Sequence, residues 1–422
     1  MKIIVLGGGI IGISSAWWLS QAGHEVVVVD RCAGPAQETS FANGGQISVS
    51  YAEPWANPQA PLKLFKWMFK DDAPLLFRPQ LDWQQWAWGA LFLRECLPSR
   101  LAINIRAMVS MAQYSRDTLK LMREELGIQY HQQTKGILNF YRDHAEFDAS
   151  QVAADVMRDY GVDRRVVSAD EVIAIEPALA PVRDSIVGGD FTVDDESGDA
   201  YLFTQQLAKL AAQAGVQFKF STSVTRVIQE GGRAVSAEVI DAHGHYENLK
   251  ADAFVVAMGS FTPQILRPLG VHCPIYPTKG YSASFPILNA GAAPSVSLTD
   301  SSHKVVYTRL GDTLRMAGTA ELSGYSRELN PTRCQAMLLQ ARELFPDALD
   351  YDHVQYWSGL RPSTPSNVPL IGATRVANVF VNSGHGTLGW TMGAGSGRAL
   401  ADLMSGLRPE PVFPFLGQSV NT

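Results

Sequence analysis

The sequence is poor in cysteine, and the few it has are far apart. Four of the 422 residues are cysteines, at positions 32, 96, 273 and 334, and none forms a CxxC pair. This spacing excludes a zinc ribbon, a dithiol redox motif and a disulfide scaffold. It is typical of proteins from a reducing compartment.

An excess of basic residues is also missing. Lys and Arg number 35 against 41 Asp and Glu, which gives a net charge of −6, and the basic residues form no block. Such a chain is a poor nucleic-acid binder, so we expect no nucleic-acid partner. Charged residues make up 18% and hydrophobic residues 46%, a balance that favours a folded chain with a large core.

A long uncharged stretch near the start, residues 3–23, does not read as a membrane span. It contains five glycines and three serines. Its pattern predicts a strand at Ile3–Leu6, a turn at Gly7–Gly12 and a helix at Ile13–Gln21, followed by a second strand at Val26–Val29. The prediction is therefore a protein on the cytoplasmic side, with no signal peptide and no transmembrane helix.

The turn at Gly7–Gly12 has the spacing of a dinucleotide-binding fingerprint, G-x-G-x-x-G, with Asp30 at the end of the next strand. Gly7 allows the tight turn, Gly9 leaves room for a pyrophosphate, and Gly12 lets the helix pack on the strand. Unpaired N–H groups at the helix start stabilise phosphate charge, and Asp30 would accept hydrogen bonds from ribose hydroxyls. FAD and NAD share these features, and a glycine turn that binds nothing is the alternative.

The remaining segments predict a mixed α/β fold with two interleaved domains. A Rossmann-like dinucleotide-binding domain is assigned to residues 1–53, 166–265 and 356–422. A substrate domain is assigned to residues 54–165, mostly helical, and to residues 266–355, which alternate like antiparallel strands.

A second glycine-rich turn follows a short strand at Val379–Asn382. Gly384, Gly386 and Gly389 precede a helix that starts near Trp390. Exposed N–H groups there could stabilise the negative charge that develops on the pyrimidine ring of a reduced flavin. A plain turn between strand and helix is the other interpretation, and the spacing leaves both open.

Taken together, five blocks of sequence resemble the D-amino-acid dehydrogenase family, within the superfamily of D-amino-acid oxidase, glycine oxidase and sarcosine oxidase. The blocks are GGGIIG at Gly7–Gly12, ETSFANGGQ at Glu38–Gln46, YPTKGYS at Tyr276–Ser282, WSGLRPSTP at Trp357–Pro365 and GHGTLGWTM at Gly384–Met392. They occur in the family's order over nearly the whole chain.

The resemblance implies an FAD-dependent enzyme that deaminates D-amino acids to 2-oxo acids and ammonia. Hydride would pass from Cα to flavin N5, and electrons would go to a quinone or another respiratory acceptor rather than to O2. Relatives that tether their flavin use a cysteine in the region of Trp357–Pro365, which has none here, so a non-covalent FAD is expected. The expected cofactor-binding residues are Gly7, Gly8, Gly9, Ile10, Ile11, Gly12, Asp30, Arg31, Ser40, Asn43, Gly44, Gln46, Val224, Gly259, Gly359, Gly386, Thr387, Leu388 and Gly389.

Three residues are candidates for the catalytic site. Arg361 offers the planar, permanent charge that holds a substrate carboxylate, as the matching arginine does in similar enzymes; a surface salt bridge is the alternative. Tyr281 and His385 are candidates for positioning the amine or carboxylate, although structural roles fit them as well. Lys279 could be a flavin-side charge or a strand-edge residue. No metal site is expected, because His243 and His245 lie in a polar turn without a third ligand.

Two other functions remain open. One is a flavin enzyme, oxidase or dehydrogenase, acting on glycine, sarcosine, D-proline or D-hydroxyproline. The other is a non-catalytic flavin-binding module.

Residues 55–93 are unusually rich in tryptophan. Five of the nine tryptophans are Trp55, Trp67, Trp83, Trp86 and Trp88, and the cations between them are Lys63, Lys66, Lys70 and Arg78. Aromatic rings with cations favour a peripheral contact with the inner membrane surface. The alternative is that these residues pack in the helical part of the substrate domain or form a lid.

Overall fold

The computed structural model describes residues 1–62 and 75–418, which form a mixed α/β fold as predicted. The strands are β1 (Lys2–Leu6), β2 (Glu25–Val29), β3 (Gln46–Ile47), β4 (Leu75–Phe77), β5 (Ile137–Tyr141), β6 (Arg164–Ser168), β7 (Gly188–Thr192), β8 (Glu196–Ser197), β9 (Gln217–Lys219), β10 (Thr222–Glu230), β11 (Arg233–Asp241), β12 (Tyr246–Leu249), β13 (Ala253–Val256), β14 (Tyr276–Pro286), β15 (Ser297–Asp300), β16 (Val305–Leu310), β17 (Thr313–Leu322), β18 (Gln355–Ser363), β19 (Leu370–Ala373) and β20 (Val379–Ser383). The helices are α1 (Ile10–Gln21), α2 (Trp83–Glu95), α3 (Pro98–Leu126), α4 (His144–Asp159), α5 (Ala169–Ile175), α6 (Ala200–Gln213), α7 (Thr262–Leu266), α8 (Pro331–Leu344) and α9 (Gly389–Met404). Short 3-10 helices span Pro177–Ser185, Gly259–Phe261, Arg267–Leu269 and Gly386–Leu388.

The first sheet is built around β1, the first strand of the chain. Within the described residues its order is β19-β20-β13-β1-β2-β9, and all neighbours are parallel except β19 and β20. Ile3 to Leu6 are all buried, because a central parallel strand is covered on both faces. The sheet therefore has the predicted Rossmann-like arrangement, with β13 beside β1.

Different layers cover the two faces of this sheet. Ile3 and Val5 point to a hydrophobic core that includes residues of α1, α3, α6 and α9. Ile4 and Leu6 point the other way, to a core shared with the three-stranded sheet β10-β11-β12. The alternation follows from the two-residue period of a strand.

The second sheet is larger and largely antiparallel. In the described part of the chain its order is β18-β14-β17-β16-β15-β5-β7-β6, and β4 adds to β17. Buried residues of β14 and β17, such as Phe285 and Met316, pack on one face with Met337 and Leu344 of α8. The opposite face of the sheet is left for the cavity described below.

Sheet membership differs from the predicted domain boundaries at two places. Strands β6 and β7 pair with each other and with β5, in the second sheet, although most of residues 164–192 fall in a segment assigned to the dinucleotide-binding domain. Strand β18 likewise pairs with β14. The hydrophobic pattern of a strand is the same whichever sheet the strand joins. The sequence therefore predicts the strand but not its pairing partner.

No helix within residues 1–62 and 75–418 combines the length and the apolar character that crossing a bilayer requires. The longest of these helices, α3, spans 29 residues and carries polar residues along its length.

Candidate active site

A cavity of about 1250 Å³ lies between the two sheets. One wall consists of the segments that follow the carboxyl ends of β1, β2, β13 and β20, where ligands of parallel α/β sheets usually bind. The other wall is the free face of β14, β17 and β18. Small-molecule pockets commonly measure about 300–1,000 Å³, so this cavity has room for a dinucleotide and a substrate.

The glycine fingerprint occupies one end of the cavity, and its three glycines differ in what surrounds them. Gly7 has a φ of +112° and donates its N–H to the Val29 carbonyl at 2.9 Å. A Cβ on Gly12 would lie 1.9 Å from the Gly7 oxygen, so only glycine lets α1 pack this close to β1. A Cβ on Gly9 would meet only the Ser40 hydroxyl, at 3.5 Å. The backbone at Gly9 thus faces open cavity.

Asp30 is tied to the fingerprint by its own carboxylate. One oxygen accepts the Gly8 N–H at 2.6 Å and the other accepts the Cys32 N–H at 2.8 Å. Arg31 follows, with its guanidinium 4.0 Å from the centre of the Phe261 ring and 2.6 Å from a Glu38 carboxylate oxygen. These contacts fix the end of β2 at the cavity wall.

The loop after β2 connects the fingerprint to the second sheet. The Ser40 hydroxyl accepts the Ile10 N–H at 3.2 Å, at the start of α1. Farther along, the Gln46 side chain donates to the Ser297 hydroxyl at 3.1 Å. A Cβ on Gly44 would lie 2.6 Å from the Val306 side chain, so the loop lies directly against β16.

The second glycine-rich turn forms the opposite part of the wall. Gly384 and Gly386 have φ values of +89° and +54°, and α9 begins at Gly389. His385 lies between them and is 2% exposed. Within the described residues, neither of its ring nitrogens has a hydrogen-bond partner. Burial lowers the pKa of His385 to about 3, so the imidazole is neutral near pH 7.

Arg361 reaches the cavity from β18. Its Nη1 donates to the Thr319 carbonyl at 2.8 Å, and it forms no ion pair with any described residue. Burial lowers the pKa of Arg361 to about 10, so the guanidinium remains a cation at neutral pH. The alternative of a surface salt bridge is therefore wrong within the described chain.

Tyr281 also lines the cavity, but its hydroxyl and the Lys279 ammonium both contact Glu321. The Tyr281 hydroxyl donates to a Glu321 carboxylate oxygen at 2.8 Å, and its ring belongs to the core beneath α8. The Lys279 ammonium lies 3.3 Å from Glu321 and donates to the Glu328 carbonyl. Burial and the Glu321 carboxylate raise the pKa of Tyr281. These two side chains support β14 rather than offering free polar groups to the cavity.

The cavity gathers almost the whole predicted cofactor set. Every residue of that set lines it except Gly8 and Gly12, which lie behind the fingerprint turn. The sequence analysis missed Thr278 and Thr319, which line the cavity near Arg361. Thr278 belongs to the YPTKGYS block, a signal that could have marked it, whereas no local pattern marks Thr319.

The described part of the tryptophan-rich segment contributes Trp55, Trp86 and Trp88 to the lining of the cavity. Trp88 is buried, but Trp83 and Trp86 are 67% and 55% exposed. Four residues of the membrane prediction lie outside the described residues: Lys63, Lys66, Trp67 and Lys70. The part of the prediction that rests on them stays a prediction.

The residues around the cavity fit a flavin dinucleotide. The open backbone at Gly9 is a cradle that a side chain would fill, and the start of α1 supplies N–H groups for phosphate oxygens. At the other end, the buried and unpartnered nitrogens of His385 are polar groups that a ligand could satisfy.

Comparisons with known proteins agree with this geometry. The model of the family described as FAD dependent oxidoreductase matches residues 2–403. The D-amino acid dehydrogenase of Dechloromonas aromatica is 54% identical over 99% of this chain and 100% of its own length. The enzyme of the same name from Paramagnetospirillum magneticum is 50% identical over 98% of this chain and 96% of its own. Among solved structures, glycine oxidase from Geobacillus kaustophilus has a TM-score of 0.73 at 19% identity, covering 99% of both chains.

Proposed function

The chain belongs to the family of FAD-dependent oxidoreductases, and we propose that it is a D-amino-acid dehydrogenase. The observation that carries the proposal is Arg361, a half-buried cation without an acidic partner in the described chain, in the same cavity as the dinucleotide fingerprint. Relatives at 54% and 50% identity that bear the name D-amino acid dehydrogenase support the substrate class.

FAD is the cofactor of this family, and the cavity offers each part of it a place. The fingerprint and Asp30 would hold the pyrophosphate and the ribose, and the turn around Gly386 would hold the flavin end. We propose that the cofactor is held without a covalent bond, because Trp357–Pro365 contains no cysteine. When bound, FAD supplies the two-electron acceptor that the amino acids of the protein lack.

The side chains of the protein would bind and orient the substrate. Arg361 would hold the carboxylate with two parallel hydrogen bonds, which fixes the direction of the Cα–H bond. His385 is neutral, and no described residue contacts its ring nitrogens with a hydrogen bond, so it can accept one from the substrate amine without repelling it. The overall reaction converts a D-amino acid, water and an oxidised acceptor into a 2-oxo acid, ammonia and the reduced acceptor.

We infer that the acceptor is a respiratory quinone rather than O2. In an anaerobic titration, D-amino acids should bleach the flavin absorbance, whereas L-amino acids should leave it unchanged. Under air, turnover should require added quinone or dye and release little hydrogen peroxide. Stoichiometric peroxide would instead identify an oxidase, and a flavin that no amino acid bleaches would identify a binding module.

We further propose that α2 carries a peripheral membrane contact, which we call the α2 stripe. It consists of Trp83, Trp86, Ala90 and Leu93, all exposed and spaced three or four residues apart, as one face of a helix requires. Arg94 adds an exposed cation next to the stripe. Tryptophan rings at headgroup depth with nearby cations favour anionic lipid.

Replacing Trp83, Trp86 and Leu93 by serine should reduce binding to vesicles that contain anionic lipid by at least about tenfold, because three apolar side chains leave the interface. Trp86 and Leu93 also line the cavity, so the flavin content of the variant is checked before its binding is compared. The matched control replaces Leu288, Leu339 and Val412, which are 72%, 56% and 60% exposed elsewhere, by serine. Sedimentation with vesicles measures binding, and equal binding of both triple variants would contradict the proposal.

A further inference from the structure

Three adjacent strands of the second sheet each present one polar side chain near the same part of the cavity. The residues are Arg361 on β18, Thr278 on β14 and Thr319 on β17, and we call them the Arg361 cluster. Thr278 is the direct cross-strand partner of Arg361. Side chains of such a pair lie on the same face of the sheet, about 5 Å apart at Cβ.

A β-bulge brings Thr319 into the cluster. Lys279 pairs with Glu321 and Tyr281 pairs with Gly318, so β17 uses one residue more than β14 over this stretch. The extra residue gives Thr319 a φ of +55°, which is rare for a β-branched residue and strains the backbone. Bulges next to active sites commonly redirect a side chain or a carbonyl.

The same bulge orients Arg361. The Thr319 carbonyl, turned by the bulge, accepts the hydrogen bond from Arg361 Nη1 at 2.8 Å. Between them, a Cβ on Gly280 would lie 2.2 Å from Arg361 Cζ, so the guanidinium lies across the glycine. A neutral carbonyl thus holds Arg361 in place and leaves its charge available for an anion.

The two hydroxyl groups of the cluster are left without partners. Among the described residues, neither Thr278 Oγ1 nor Thr319 Oγ1 has a hydrogen bond, and both atoms are buried. An unsatisfied buried hydroxyl is destabilising, so native proteins rarely keep two in one place without a ligand. A carboxylate has about four lone-pair sites for hydrogen bonds. One guanidinium does not fill all of them, so sites remain for hydroxyl donors.

We propose that Thr278 and Thr319 are substrate-binding residues whose hydroxyls donate to the carboxylate held by Arg361. The identity of that carboxylate as part of an amino acid rests on the proposed function. The anion site itself rests only on the geometry of the Arg361 cluster.

The experiment titrates the FAD-loaded protein with propionate, a carboxylate without an amine, and follows the flavin absorbance. Thr278→Val and Thr319→Val remove a hydroxyl and keep the shape, so each should raise the Kd for propionate roughly tenfold. Thr278→Ser and Thr319→Ser should restore it. With a D-amino acid the valine variants should raise KM and leave kcat nearly unchanged, as expected when binding alone is lost.

Thr192→Val is the matched control. The Thr192 hydroxyl is also buried and unpartnered, but this residue does not line the cavity. Its variant should bind propionate like the wild type, which separates a substrate contact from a general effect of losing a buried hydroxyl. If a valine variant fails to fold, the alanine variant at the same position tests the same hydroxyl.

Two results would overturn the inference. One is wild-type propionate binding in both valine variants, and the other is unchanged binding in Arg361→Ala, which would place the anion elsewhere. Threonine-dependent propionate binding in a protein whose flavin no D-amino acid bleaches would support the anion site and refute the proposed function. The two proposals can therefore fail separately.

Discussion

Replacing Arg361 by alanine should raise KM for a D-amino acid by roughly a hundredfold or more while FAD remains bound. Truncating one partner of a buried charge pair costs about 2–5 kcal/mol. Among the described residues, no second cation with a free charge lies at this point of the cavity wall. Because the guanidinium lies on β18, away from the fingerprint, cofactor binding should persist. Steady-state kinetics and the flavin absorbance of the purified variant measure both effects.

Arg361→Lys is the informative comparison. It keeps a charge but loses the two parallel hydrogen bonds, so its KM should lie between those of the wild type and the alanine variant. An alanine variant that purifies without flavin would assign Arg361 to the cofactor. An unchanged KM would remove it from the substrate site.

Gly9→Val should yield a protein that contains almost no FAD and is colourless. The backbone at Gly9 is extended, with φ −74° and ψ −179°, a conformation that valine adopts readily. The nearest atom to a new Cβ is the Ser40 hydroxyl at 3.5 Å, so the side chain fits the protein itself. It would instead fill the space in which the pyrophosphate approaches the backbone. The variant should also unfold at a lower temperature, because a ligand bound only to the folded state stabilises it.

Gly291→Val is the control for this prediction. A Cβ on Gly291 would also meet a single side-chain atom, Asn289 Oδ1, at 3.5 Å, but Gly291 lies outside the cavity. The control should retain FAD in a one-to-one ratio, as measured by absorbance after denaturation. The same ratio in Gly9→Val would mean that the fingerprint is only a structural turn.

The parts of the fold that depend on near neighbours could be predicted from the sequence. The turn at Gly7–Gly12 is one example, since the contact that requires Gly12 is with an oxygen only five residues away. The helix α1 nevertheless begins at Ile10, earlier than the predicted Ile13. Most of the glycines and polar residues of the blocks that resemble the dehydrogenase family line the cavity.

The substrate side of the cavity depends on distant pairings, and the sequence was less informative there. Tyr281 follows Gly280 in β14, and strand alternation directs its ring to the core below α8. Thr319 faces Arg361 only because of a bulge, and a bulge leaves no local signature when its left-handed residue is not glycine. The pairing of β18 with β14 could not be inferred either, because β14 lies about eighty residues earlier in the chain.

The first sheet also has a consequence for how the chain folds. Its central strand β1 leaves the ribosome long before its partner β13, which begins only at Ala253, and before β20, which ends at Ser383. Until then the apolar residues of β1 and β2 lack one side of their sheet, and long-range pairings of this kind form slowly. The nascent chain therefore exposes aggregation-prone strands through most of its synthesis. An N-terminal fragment that ends before β13 would contain the whole glycine fingerprint and still lack the sheet that supports it.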